Sequence, residues 1–576
     1  DHKWKGNLVR LFILLALLGS FSMFYTTAVR VKMLPLDNKP EFNVVINLPE
    51  GVALPSTANV VQQMGQKLLK IPEVTAIQTY AGTASPFNFN GLVRHYYMRR
   101  GSWEGDIQVQ LLDKHERERT SHDIAVEARK VLAPLAKKLG ARIAVVEMPP
   151  GPPVLQTMVA EVYGPSDSIR RQVARDLTGI FEKSDIIVDA DNYMPTRHKI
   201  WRFKINGEKA ERRGVSRESI NRQLEMIMGG YKLGDAKLGH ELEPRFILLQ
   251  APLNVRGEPA QIGEVPVRAS DGSLIPISEL GRFVEDEQDD IIFHKDLRPL
   301  EYVVGEVSGR LAAPVYGMMD VSDLLKEYTA PDGVKLEGYL IGPPPDSFKS
   351  AFEWTGEWTV TYETFRDMGI AFMAALVLIY MLVVWEFGNF RQPGIIMAPI
   401  PLTLIGIIPG HWLLNAEFTA TSMIGWIALA GIIVRNSILL VDFAKHAILD
   451  GVAPREAVIQ AVRTRTRPIL ITQLTMIAGA STILSDQIFQ GMAISLMFGA
   501  IVSTLLTLIV IPLSCMRSNK AFLCEMIASG QLPPEATSMR GVTSEKDPDA
   551  PGLLSRLFGA LSMGFYLIRA IFVMIG

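Results

Sequence analysis

The sequence predicts an α-helical membrane bundle that carries an α+β extracytoplasmic domain, and three observations predict it. Composition is split along the 576 residues: positions 29–363 mix charges, turns and alternating apolar residues as water-soluble proteins do, whereas 365–515 is dominated by long apolar runs. Runs at 8–28, 368–385, 393–414, 423–443, 469–484 and 493–513 lie near the roughly 20 residues that cross a hydrocarbon core as a helix. Some are extended by neutral flanks, and together they give six transmembrane helices. Through the soluble region, strand, helix and strand patterns recur by period and punctuation.

The first run, 8–28, has a basic front at Lys3, Lys5 and Arg10 but exceeds the 7–15 residues of a signal core, so it reads as a retained transmembrane helix. The chain starts at Asp1 without methionine and reads as a piece of a longer protein or a processed one. After it, 41–48 is a strand, LPEG at 48–51 breaks it, Ser56 caps a helix to about 70, and 74–80 is a second strand. Strand 107–112, helix 121–139 and strand 142–147 repeat the pattern, and two such units suggest a ferredoxin-like subdomain. MPPGPP at 148–153 is a connector, since its prolines remove donors and fix the backbone.

A second strand, helix and strand follow at 154–163, 169–181 and 186–191, but their complement does not follow. A segment with its own turns (Asn206-Gly207, Gly229-Gly230, Asp271-Gly272) intervenes, closed by an acidic run at 285–290 that reads as a solvated loop. Strand 300–307, helix 315–328 and strand 334–341 then complete a second ferredoxin-like subdomain around a small inserted domain. The expected divisions are 1–30 for the first membrane helix, 31–150 for the first subdomain, and 151–199 with 291–345 for the second. The insertion takes 200–290, a connector 346–365, the five-helix block 366–515, a cytoplasmic tail 516–552, and 553–576 an added apolar stretch, interrupted by Arg569, that spans or lies in the interface.

Loop charge orients the bundle. The basic front, Arg391 and the basic loop 445–467 alternate with the neutral or acidic loops 415–417 and 485–490, so the positive-inside rule puts the large domain outside the cytoplasm. Within 423–443 stand Arg435 and Asn436, and a charge near mid-membrane costs roughly 2.5–3.5 kcal/mol on insertion scales. Such a residue is either functional or snorkels to the headgroups, here with Asp442 as partner. Asp367, Glu386, Glu417, Asp442 and Asp486 all fall near span ends, which leaves no carboxylate at mid-depth in these spans.

Several chemistries are absent from the sequence. It has no Gly-Lys-Ser/Thr phosphate loop and no Gly-x-Ser-x-Gly elbow, and Arg119 stands where the second histidine of a zinc-protease helix would follow His115-Glu116. Neither an enzyme nor a cofactor is expected. A net charge of -2 gives no reason to expect a nucleic-acid partner. The two cysteines, Cys515 and Cys524, follow the last long run of the block and leave the soluble part without disulfides. Met226, Met228 or Met318 suit packing or a soft metal ion. SPFNFNG at 85–91 puts Phe87 and Phe89 on a loop, where they pack beneath it or contact a ligand. A large extracytoplasmic domain on a helix bundle with a buried cation is what an ion-driven transporter looks like.

GIIVRNSILLVDF at 431–443, Glu456-Ala457, RTRTRPILIT at 463–472, LPEG at 48–51 and NGEKAERRGVS at 206–216 carry a resemblance over about 1–514. The chain is similar to the C-terminal half of a resistance-nodulation-division efflux permease of the hydrophobe/amphiphile type, and its tail departs from that pattern. The resemblance implies two porter subdomains with an inserted docking subdomain, in a bacterial inner-membrane protein whose large domain is periplasmic. It further implies a homotrimer, joined by a periplasmic adaptor protein and an outer-membrane channel, that exports small amphiphilic molecules by proton antiport. Phe87 and Phe89 match the loop beside the substrate pocket, and Arg435, Asn436, Arg465 and Thr472 match the proton-relay positions. Many members have a lysine at Arg435 that pairs with two aspartates of the N-terminal half. An arginine does not release its proton, so the resemblance makes Arg435 a fixed counter-ion and leaves the protons to those carboxylates. A soft-metal exporter, or a non-transporting scaffold or protein-export partner, are the competing readings.

Overall fold

The computed structural model describes residues 3–86, 88–148, 151, 154–237, 239, 244–388 and 390–517. Phe87, the expected tail beyond its first two residues and the stretch 553–576 lie outside the described residues. The chain divides into two compact units, one of Asp1–Leu48, Ala53–Tyr193 and Phe293–Gly576, the other of Pro49–Val52 and Met194–Ile292.

The first unit begins with α1 (Lys3–Tyr25), then β1 (Glu41–Asn47), α2 (Leu54–Leu68), β2 (Val74–Ala81), a short α3 (Phe89–Val93), β3 (Glu104–Leu111), α4 (Ser121–Leu139) and β4 (Arg142–Val146). The strands form one antiparallel sheet in the order β2-β3-β1-β4. Val44 and Ile46 are fully buried, as are Met64 and Leu68 of α2 and Ile124, Ala128 and Leu132 of α4. The spacings of 2 on the strand and of 3 or 4 on the helices explain why these positions meet. A reciprocal cap fixes where α4 starts: Thr120 Oγ1 accepts from the Asp123 amide at 3.2 Å, and Asp123 accepts from the Thr120 amide at 3.3 Å. Gly140, at φ 66°, ends it.

A second sheet follows with β5 (Met158–Tyr163), α5 (Asp167–Phe181) and β6 (Ile187–Asn192). The separate unit then takes β7 (Lys199–Ile205), α6 (Gly207–Arg212), α7 (Arg217–Gly229), β8 (Tyr231–Ala236) and β9 (Arg245–Leu249), continuing with α8 (Leu253–Arg256), α9 (Pro259–Gly263), β10 (Pro266–Arg268), β11 (Leu274–Pro276), α10 (Ile277–Leu280) and β12 (Gly281–Glu287). It has its own core of Ile220, Ile227, Ile262, Ile277 and Leu280. The acidic run expected as a loop begins inside β12 instead. Glu285 stands opposite Trp201 and Glu287 opposite Lys199, and Lys199, Arg202 and Arg197 pair with the acids across the two strands. Cross-strand complementarity turns a charge run into a ladder, which composition alone does not reveal.

Back in the first unit come β13 (Phe293–Lys295), β14 (Arg298–Val307), α11 (Pro314–Leu325), β15 (Glu337–Tyr339) and β16 (Ala351–Gly356). Here the expectation fails in one place. β5 lies between β14 and an unexpected strand, β16, paired from Ala351↔Tyr163 to Gly356↔Met158, whereas the strand expected at 334–341 supplies only three residues, parallel to β16. The connector expected at 346–365 therefore holds a strand and the first turns of the next helix. Phe352 and Trp354, 0% and 2% exposed, face the helix side of the sheet, and the Trp354 ring lies 5.9 Å from that of Phe181 on α5. That aromatic anchoring selects the later segment.

The remaining helices are α12 (Glu357–Phe387), α13 (Arg391–Met397), α14 (Pro399–Leu402), α15 (Leu404–Leu413), α16 (Ala420–Leu449), α17 (Pro454–Ser481) and α18 (Gln490–Arg517). Prolines at 399 and 401 break the expected second span of the block into α13, α14 and α15. The basic loop expected at 445–467 is mostly helix, with Arg455, Arg463, Arg465 and Arg467 all on α17, because arginine is a good helix former. Among the described residues, four helices are long and apolar enough to cross a membrane: Glu357–Phe387, Gln392–Leu413, Ala420–Leu449 and Gln490–Cys515. The apolar part of α1, Leu11–Tyr25, is shorter.

Small residues allow α15 and α18 to approach closely. A Cβ at Gly406 would fall 2.6 Å from the Phe498 carbonyl oxygen, too near for any residue but glycine. The fully buried His411 is satisfied nearby, its Nδ1–H donating to the Ile407 carbonyl and its Nε2 accepting from the Ser422 hydroxyl, each at 2.8 Å. The carbonyl can only accept, so the tautomer is fixed.

Candidate functional site

The sequence singled out four residues in the helices, and the structure distributes them over two. On α16, Arg435 is exposed, while its neighbour Asn436 is buried at 5% exposure, as a turn of about 100° per residue requires. Arg435 makes no hydrogen bond or ion pair among the described residues. The partner expected for it by snorkelling, Asp442, instead meets His446 one turn on at 3.3 Å. On α17, the Arg465 guanidinium lies 5.3 Å from the centre of the Phe443 ring, and its Nε is buried without a hydrogen-bond partner. Thr472 is exposed, and its hydroxyl donates to the Pro468 carbonyl at 2.9 Å. None of the four hydrogen-bonds to another. Ser437 Oγ, Gln473 Oε1 and Ser495 Oγ on α16, α17 and α18 are also buried without partners, a concentration of orphan polar atoms that sequence reading did not find.

The second region lies between the two sheets of the first unit. Phe89 sits on α3 and is 38% exposed. With it the loop presents Leu92, Tyr97 and Met98, also exposed, which sequence reading passed over because they lack the Phe-x-Phe spacing. At the loop's root Ser85, Asn43 and Asp106 are buried together, and burial pushes the Asp106 carboxyl up while Ser85 opposes the shift by hydrogen bonding. From the same loop Arg94 crosses to the second sheet, donating to Gln156 at 2.8 Å and forming an ion pair with Glu306, which also accepts from the Thr157 hydroxyl. A second clamp joins α4 to β6: Arg129 grips Asp189 through two nitrogens at 3.1 and 2.8 Å, and the Val145 amide donates to the same carboxylate at 3.1 Å. Asp189 holds φ at 54°, in the left-handed region that aspartate tolerates better than most residues. Bidentate, partly desolvated pairs of this kind fix orientation as well as distance.

The AcrB/AcrD/AcrF family matches residues 5–516. The chain belongs to that family. It is thus of the resistance-nodulation-division transporter class, with mixed α/β content and several apolar helices. Among its relatives, "Swarming motility protein SwrC" of Bacillus subtilis (strain 168) is 22% identical over 530 residues, covering 89% of this chain and 45% of the relative. "Multidrug resistance protein MdtC" of Escherichia coli (strain UTI89 / UPEC) is 30% identical over 174 residues, 29% of this chain and 17% of the relative. A heavy metal efflux pump, crystal form II, has the same fold at a TM-score of 0.67 and 18% identity, over 91% of this chain and 50% of that one. The chain spans about half the length of SwrC and of that pump. Among the described residues no group of three His, Cys, Asp or Glu is placed to hold a metal ion. Met318 is buried in α11, while Met228 is exposed on α7 in the other unit.

Proposed function

We propose that this chain is the C-terminal half of a proton-driven efflux permease of the bacterial inner membrane, exporting small amphiphilic molecules from the periplasm or membrane. The observation that carries the reading is Arg435, an exposed cation on an apolar helix with no counter-charge among the described residues. A guanidinium at that depth needs an anion, and an acidic pair from the complementary half supplies one. Arg465, Thr472 and Asn436 then complete the relay as its polar surround, and the orphan atoms of Ser437, Gln473 and Ser495 fit a face closed by a second chain or by water. The carboxylates of the other half take up and release the proton, and the fixed charge of Arg435 sets how tightly they hold it. In this reading six helices span the membrane, the two-sheet region is the porter domain, and the separate unit docks neighbouring copies in a trimer that meets an adaptor protein and an outer-membrane channel. The exposed apolar hairpin β8–β9, with Phe246, Ile247, Leu248 and Leu249 all about half exposed, supports an interface role for that unit. The test is co-expression with the adjoining coding sequence: co-purification of an acidic second half and pH-gradient-dependent dye efflux are expected, and a chain that binds no such half and leaves efflux unchanged overturns the proposal.

Two further results are expected. In a Cys515→Ser/Cys524→Ser background, a cysteine at Asp271 reacts with an impermeant maleimide in intact cells and one at Arg455 does not. Labelling at Arg455 from outside reverses the topology. Replacing Phe87 and Phe89 by alanine lowers export of bulky apolar dyes several-fold with assembly retained, because Phe89 presents an aromatic surface on a loop anchored by Arg94. Unchanged resistance to every dye tested removes the loop from the cargo path.

A further inference from the structure

One face of α17 is left uncovered by the other described residues. The packed side of this helix runs through Ala457, Ala461, Ile469 and Gln473, all buried, and at about 100° per residue Arg463 falls roughly 200° round the helix from Ala461. Arg463 and Arg467, one turn apart, are exposed on that outer side. Leu470, Ile471 and Leu474 follow them there at 43%, 56% and 64% exposure. Arg465 of the proposed relay turns the other way, onto the Phe443 ring of α16.

The two charges are not balanced from within the helix. Three and four positions from Arg463 stand Ile459, Gln460, Thr466 and Arg467, and from Arg467 they are Arg463, Thr464, Leu470 and Ile471, so no acid is in reach along the face. The nearest on it, Glu456, is two turns before Arg463. Neither arginine makes an ion pair with another element among the described residues. Like charges one turn apart destabilise a helix, and an anion from outside the chain relieves that repulsion. Beyond Arg467 the same face becomes apolar at once. From Arg463 to Leu474 the helix rises about 17 Å, close to the roughly 15 Å that half a hydrocarbon core measures. Cation followed by apolar surface over that length mirrors a phospholipid, which presents an anion and then an acyl chain.

We infer that this face binds an anionic phospholipid of the cytoplasmic leaflet, with Arg463 and Arg467 holding its phosphate by charge-assisted hydrogen bonds and Leu470, Ile471 and Leu474 lying along an acyl chain. No carboxylate stands beside the arginines to receive an ammonium, so the face favours net-negative phosphatidylglycerol over zwitterionic phosphatidylethanolamine. The inference rests on the orientation proposed above, in which α17 starts in the cytoplasm and its second half enters the membrane.

The experiment places a bimane on Ala478→Cys, one turn past Leu474 and exposed, in a Cys515→Ser/Cys524→Ser background. The full chain is reconstituted in phosphatidylcholine nanodiscs containing increasing fractions of phosphatidylglycerol or phosphatidylethanolamine with the same brominated acyl chains. Phosphatidylglycerol is expected to reach half-maximal quenching at a fraction about tenfold lower than phosphatidylethanolamine, in line with two basic residues meeting an anionic lipid. Arg463→Gln with Arg467→Gln removes the difference, whereas Arg463→Lys with Arg467→Lys keeps most of it. Equal quenching by the two lipids overturns the headgroup site and leaves the membrane placement of α17 standing, and this comparison needs neither arginine variant to fold. Quenching by neither lipid overturns the placement and the site together. An undiminished preference in the glutamine variant removes the arginines from it, and displacement of phosphatidylglycerol by equimolar soluble glycerophosphate overturns the lipid as ligand. The same preference is expected in the complete pump. Its loss there means that protein covers this face, which overturns the lipid site.

Discussion

Arg435→Ala is expected to abolish dye efflux driven by a pH gradient in cells that make the complete pump, while Arg435→Lys retains a reduced rate. The reason lies in what the guanidinium faces. It projects from an apolar helix and is unpaired among the described residues, and in the proposed relay its charge is compensated by carboxylates from outside this chain. Removing it leaves those carboxylates without a counter-ion in a poorly solvated site, which raises their pKa and holds the protons on them through the cycle. Lysine restores the charge but not the planar, two-pronged geometry that fits a carboxylate pair. Efflux is compared at matched membrane levels, with both variants and the unaltered chain. Near-normal efflux by the alanine variant means that Arg435 only snorkels and that the relay assignment, with Asn436, Arg465 and Thr472, falls. The opposite sign of result, a lysine variant as inactive as alanine, places the requirement on geometry rather than charge.

Arg94→Met is expected to lower the stability of the two-sheet region by about 3–5 kcal/mol, the cost typical of removing one partner from a buried ion pair. The Arg94 side chain is 5% exposed and that of Glu306 is 12% exposed. Methionine roughly keeps the volume but strands the carboxylate with the Thr157 hydroxyl as its remaining partner. A second change, Glu306→Gln, removes the stranded charge, so the double variant is expected to recover much of the loss. A double-mutant cycle by chemical denaturation, read through tryptophan fluorescence, gives the coupling directly. The same loop carries Phe89, and the Arg94 single variant is therefore also expected to admit faster proteolysis between 86 and 100. Additive losses in the double variant would show that Arg94 and Glu306 act independently and that the loop is anchored elsewhere.

Local features were legible in the sequence. The apolar runs that become α12, α16 and α18, the strand and helix order of the first sheet, the break at the MPPGPP connector and the insertion between β6 and β13 all follow from hydrophobic period and punctuation, which depend only on neighbours within a turn or two. The motif around Arg435 pointed to the family that the comparison found over residues 5–516. Pairing between distant segments was not legible. That β16 and not the earlier stretch lies beside β5 depends on partners nearly two hundred residues apart, as in the Thr355 hydroxyl reaching Glu161 at 3.1 Å. That the acids of β12 answer the bases of β7 and that Asp442 turns to His446 are likewise outcomes of register and packing. Hydrophobic length and period are written residue by residue and survive in an isolated segment. Which charge meets which is decided when the chain closes, because the free energy of a buried ion depends on every group that displaces its water.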